Sequence, residues 1–101
     1  EAGATRVMTG GGFAYGIRPI IEAHRNGGKD KAFAEYQRWL PLINHENRQA
    51  GFLAAKALMK AGGVIACDAP RSPWPAMRTE TRAALLDIAR RLDPLVLRWG
   101  R

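Results

Sequence analysis

The sequence predicts an α/β protein seen mostly through its helices: one short strand, a glycine loop, then helix after helix. Three observations carry that reading. Residues Ala4 to Thr9 form a brief run bounded by Gly3 and by Gly10–Gly12, the pattern of a buried parallel strand ending in a flexible loop. From Phe13 onward, apolar residues recur at helical spacing. Glycine pairs and prolines then punctuate the chain into separate helices.

A lone strand leaves its backbone N–H and C=O groups without partners, and buried unpaired backbone is costly. The strand at the amino end therefore implies a larger sheet, and the chain is expected to be the tail of a bigger protein. Arg6 inside such a strand needs a partner for its guanidinium. An acid elsewhere in the sheet or a bound carboxylate would serve.

The first helix spans Phe13 to Arg25, with Ile17, Ile20, Ile21 and His24 in phase and Asn26-Gly27-Gly28 as its stop. Pro19 suits a first turn, so the regular helix is expected to begin near Arg18. The second helix is expected from Asp30 as N-cap, with Phe33, Tyr36, Leu40 and Ile43 as its inward stripe. Pro41 removes one backbone donor and predicts a kink. The third runs from about Glu46 to Ala61, turning Phe52, Ala55 and Met59 inward, with Lys56 and Lys60 near its negative end. Val64 to Pro75 is irregular, because three prolines in six residues forbid regular structure. The last helix starts at Thr79, carries Leu85, Ile88 and Leu92 inward, and breaks at Asp93-Pro94 before Leu95, Val96 and Trp99.

Composition narrows the chemistry. The formal charge is +7, from 16 Lys and Arg against 9 Asp and Glu, which permits an anionic partner. The cations are scattered and interleaved with acids, so solvated helix faces are the expected role and no nucleic-acid partner is predicted. Cys67 is the single cysteine. It allows no internal disulfide, no cysteine zinc site, and suits a reducing cytoplasm. No apolar run reaches membrane-spanning length. His45-Glu46 opens like a zinc-protease helix, but position 49 is Gln where a second His is needed. His24 and His45 are read as surface or capping residues, and Asn44 to Gln49 as a polar cluster that satisfies helix ends. Lys29, Lys31, Lys56 and Lys60 look solvated, whereas an amine that attacks carbonyls needs a desolvated pocket. The chain offers no complete catalytic constellation and no metal site.

The carboxyl end of the strand is the most functional-looking place. Ligands of parallel α/β folds sit beyond strand ends, where loops gather backbone donors. Val7, Met8, Thr9 and Gly10 are therefore the candidate substrate-binding residues. The competing reading is a tight strand–helix turn that touches no ligand. No Gly-Lys-Ser/Thr follows, so this is not a phosphate-binding Walker loop.

Taken in order, Gly3-Ala4-Thr5-Arg6-Val7-Met8-Thr9-Gly10, Ala34-Glu35-Tyr36, Leu40-Pro41-Leu42-Ile43, Gly51 to Lys56, Gly62-Gly63-Val64-Ile65 and Ala69-Pro70-Arg71-Ser72-Pro73 resemble the carboxyl-terminal third of the dihydrodipicolinate synthase and N-acetylneuraminate lyase family. The resemblance implies an α/β fold in which residues 1–26 are the last βα unit of a (β/α)8 TIM barrel. Residues 27–101 would be the appended helical domain. It implies a Schiff-base lyase acting on pyruvate or a related 2-oxo acid, through a barrel Lys and a proton-shuttling Tyr that lie outside this chain. No cofactor is implied, the segment alone is expected to be inactive, and a homotetramer is the expected assembly. A lyase or dehydratase of 2-keto-3-deoxy sugar acids shares the same barrel. Many members carry a small residue where Arg6 stands, which points to a different or more acidic substrate. The alternative from another class is a free-standing basic helical module that binds nucleic acid, with affinity falling steeply as salt rises.

Overall fold

The computed structural model describes residues 3–10 and 14–100. Its regular elements are α1 (Ala14–Arg25), α2 (Lys29–Asn44), a π-helical turn (His45–Gln49), α3 (Phe52–Ala61), α4 (Thr79–Leu92) and a 3₁₀ turn (Leu95–Arg98). No strand occurs among the described residues. The strand expected at Ala4–Thr9 is therefore not formed by the described residues alone. Residues 3–10 carry no ladder and every one of them is exposed. A strand exists only through pairing, and the described residues offer this segment no second strand. Arg6, expected to be buried, lies in solvent for the same reason. Gly11, Gly12 and Phe13, which completed the expected loop and helix start, lie outside the described residues.

Helix punctuation follows the glycines closely. At the end of α1, Gly27 takes φ +79°; its N–H donates to His24 O at 3.1 Å, and the Gly28 N–H donates to Ala23 O at 2.9 Å. The end of α3 repeats this with Gly63 at φ +75°, where Gly63 N–H reaches Lys60 O at 3.0 Å and Val64 N–H reaches Met59 O at 2.8 Å. Both are Schellman ends, in which a left-handed residue turns the last amides back onto orphan carbonyls. Helix α4 ends on Asp93 at φ 49°, its N–H bonded to Ala89 O at 2.8 Å. Pro94 then forbids continuation, and the chain restarts as the 3₁₀ turn.

Several expected boundaries shift. Pro19 lies inside α1 rather than in its first turn, because its fixed φ fits a helix and only one ladder bond is lost. Asp30 is in the first turn of α2, with Gly28 at the N-cap. Arg78, rather than Thr79, holds the N-cap position of α4. The expected third helix is two elements: the π turn, then Gly51 at φ 56°, then α3.

The core is built from Trp39, Leu42, Ala54, Ala57, Leu58, Leu85, Ala89 and Val96. Leu85, Ala89 and Val96 are fully buried. Tyr15 packs edge-on against Trp39 at 5.8 Å and Trp99 at 6.2 Å, joining α1, α2 and the last turn. Helix α2 presents Ala32, Trp39 and Leu42 inward. Of the predicted stripe Phe33, Tyr36, Leu40 and Ile43, Ile43 packs against the core as expected, whereas Phe33, Tyr36 and Leu40 are exposed, and Phe52 of α3 likewise. Helix α2 is apolar on more than one face, and α1 and α4 pack against it on the side that carries Trp39.

The irregular stretch after α3 is strapped down by charge. The Lys56 ammonium donates to Ala69 O at 2.7 Å, and Lys60 pairs with Asp68 at 3.0 Å. Arg82 of α4 pairs with the same carboxylate. The two lysines thus reach across to the strap instead of capping their own helix.

Candidate functional site

The amino-terminal segment runs beside α1 and is held there at one point by Arg25, whose Nη2 donates to Thr5 O at 2.9 Å. Between segment and helices lies an open groove of about 1030 Å³. Val7, Met8 and Thr9 form one wall, with Ile17 and Ile21 of α1 and Phe33 of α2 opposite. Three of the four expected binding residues therefore share one surface. Met8 is 98% exposed and Val7 59%. The Thr9 hydroxyl donates to Gly10 O at 3.0 Å, which stiffens the end of the segment.

Gly10 faces elsewhere. A Cβ built on it would overlap the carboxylate of Glu46 from the π turn. Only glycine leaves room for that approach. Glu46 is 9% exposed and its neighbour His45 only 5%. Of the expectation that His45 is a surface or capping residue, the capping half holds, since it is the C-cap of α2; it is buried, however, and its Nδ1 has no hydrogen-bond partner among the described residues. The turn is closed by the Ala50 N–H donating to His45 O at 2.9 Å, an i to i+5 bond. Such a widened turn inserts a residue and re-aims the side chains on it, and is frequent at functional sites. No spacing rule in the sequence placed Glu46 at Gly10. The signal available was a dense polar cluster, Asn44 to Gln49, in a place where one helix would otherwise run on.

Among the described residues that line the groove there is no cysteine and no lysine. Cys67 is exposed, and its Sγ accepts the Ala69 N–H at 3.4 Å within the strap. Among the described residues no three His, Cys, Asp or Glu side chains gather to hold a metal ion. No helix among them is long and apolar enough to cross a membrane. What the geometry offers is a short rim, fixed by a guanidinium at Thr5 and bordered by a carboxylate at Gly10.

The chain is 69% identical, over 100 residues, to an L-2-keto-3-deoxyarabonate dehydratase of Azospirillum brasilense. The match takes in 99% of this chain and 32% of that enzyme, its carboxyl-terminal part. That enzyme is a member of the dihydrodipicolinate synthase and N-acetylneuraminate lyase family, the family this sequence resembles. The chain spans about a third of the length of the curated relative it matches. No family model matches it. The match agrees with the ordered pieces from Gly3-Ala4-Thr5-Arg6 to the proline-rich strap, which carry the resemblance in the sequence.

Proposed function

We propose that this chain serves as the carboxyl-terminal part of a Schiff-base dehydratase acting on a 2-keto-3-deoxy sugar acid. The activity of its relative, at 69% identity, is the single observation that supports dehydration over a simple aldol reaction. The chemistry follows from the substrate class. An enzyme amine condensed with the C2 carbonyl makes an iminium that acidifies C3–H. The C3 proton and the hydroxyl on C4 then leave together as water, and hydrolysis of the imine regenerates the amine.

In this reading residues 1–26 form the last strand and helix of a TIM barrel, and residues 27–101 the appended helical domain. The catalytic Lys and Tyr belong to other strands, so the 101-residue chain alone is inactive. Val7, Met8, Thr9 and Gly10 then line the rim at the strand's carboxyl end. The 1030 Å³ groove is not itself the substrate pocket. Its walls of Ile17, Ile21, Phe33 and Val7 suit the apolar layer between barrel strands and helices. In this reading the sugar acid sits beyond the carboxyl end of the strand, next to Gly10. The outward faces of Phe33, Tyr36 and Leu40 would be covered by the barrel or by a second copy in a cytoplasmic homo-oligomer.

The test is a product assay on the full-length polypeptide that carries this segment. Supplied with 2-keto-3-deoxyarabonate, it is expected to release water and a 2-oxo acid of unchanged carbon count. Release of pyruvate by carbon–carbon cleavage would favour the lyase reading. No turnover of either kind would refute both.

A further inference from the structure

We propose that Glu46 is a positioning residue for the substrate rim: its carboxylate holds the Gly10 end of the amino-terminal segment in place. The inference rests on the Schiff-base reading above and adds a residue to it from the helical domain. Four observations carry it. The Glu46 carboxylate lies so close to Gly10 that no side chain fits between them. Glu46 is nearly buried although ionisable, and a carboxylate is withdrawn from water only where it is engaged by donors or charge. It sits on the π turn that prolongs α2 up to the break at Ala50 and Gly51, and from there its carboxylate meets the segment. Lastly, the segment carries a second side-chain contact near its other end. Arg25 holds it at Thr5 and Glu46 meets it at Gly10, so a charged side chain from the helices stands at each end of Val7, Met8 and Thr9.

Through this contact the helical domain acts on the rim without touching substrate. Displacing a rim by even 1 Å can reduce turnover about a hundredfold. Shift of Gly10 therefore matters for a sugar acid long enough to reach the rim, and little for pyruvate, which needs only the lysine.

The experiment uses the full-length enzyme with Glu46→Gln, Glu46→Ala, Gly10→Ala and the Gly10→Ala/Glu46→Ala pair. Steady-state kinetics on the keto-deoxy sugar acid are read beside borohydride trapping of pyruvate. Gly10→Ala is expected to lower kcat/KM about a hundredfold, because the new methyl expels the carboxylate. Glu46→Ala and Glu46→Gln are expected to raise KM about tenfold with pyruvate trapping unchanged. The double variant is expected to be no worse than Gly10→Ala alone, the mark of two residues in one contact. Full additivity, or Glu46→Gln within twofold of wild type in KM, would overturn the proposal. Should Gly10→Ala fail to fold, the KM of Glu46→Gln decides. If the wild-type enzyme traps no pyruvate, it is the Schiff-base reading that falls. The contact is then read from melting temperatures of the same proteins, where coupled shifts support it and additive shifts overturn it.

Discussion

Tyr15 Oη accepts the backbone N–H of Leu95 at 2.5 Å, tying the first helix to the last turn across 80 residues of sequence. The same ring stands edge-on between Trp39 and Trp99. Burial raises the pKa of its phenol, against the pull of the Leu95 hydrogen bond. Tyr15→Phe keeps the ring contacts and removes only the acceptor. It is expected to lower stability by about 1 kcal/mol, the usual net worth of one such bond. Urea unfolding followed by tryptophan fluorescence checks this; an unchanged midpoint would contradict it.

Asp68 governs the acid limb of stability. Its side chain is 9% exposed and meets both Lys60 and Arg82. Burial raises its pKa, but the hydrogen bonds from Arg82 and Lys60 outweigh that and hold it below the usual carboxylate value of 3.8. The folded state therefore binds fewer protons than the unfolded one in this range. The stabilisation is present above the unfolded value and is lost as pH falls through the lower folded one. Asp68→Asn is expected to be less stable by about 1 kcal/mol near neutral pH, since both cations are partly exposed. Its unfolding midpoint should also depend less on pH in acid. Parallel acid curves for variant and wild type would show that Asp68 is not the titrating group.

The register of the helices has its own test. Leu85 is fully buried while Phe33 is 60% exposed. Leu85→Ala is expected to destabilise by about 2–5 kcal/mol, enough to unfold a small domain. Phe33→Ala in the same 101-residue chain should change stability by less than about 0.5 kcal/mol. Circular dichroism melts of the two variants compare them directly. A reversed order would restore the stripe the sequence suggested.

That reversal shows where the sequence is readable and where it is not. Gly27, Gly63 and Pro94 mark helix ends by local sterics, so the residues name the structure without knowledge of neighbours. Which face of α2 turns inward depends on what packs against it. Phe33, Tyr36 and Leu40 carry as much apolar surface as Trp39 and Leu42, so period alone does not choose. Val7, Met8 and Thr9 read as a strand because their pattern is that of a sheet. Pairing, however, is a property of two segments, and the described residues supply only one. Glu46 was hidden for a related reason. Its approach to Gly10 joins positions 36 residues apart through a widened turn that no propensity marks. His45 was hidden with it.

The most direct test of the whole account is covalent. Full-length protein carrying this segment is incubated with pyruvate, reduced with borohydride, digested and mapped by mass spectrometry. The account predicts one adduct, on a lysine outside residues 1–101. No adduct, or an adduct confined to Lys29, Lys31, Lys56 or Lys60, would contradict it.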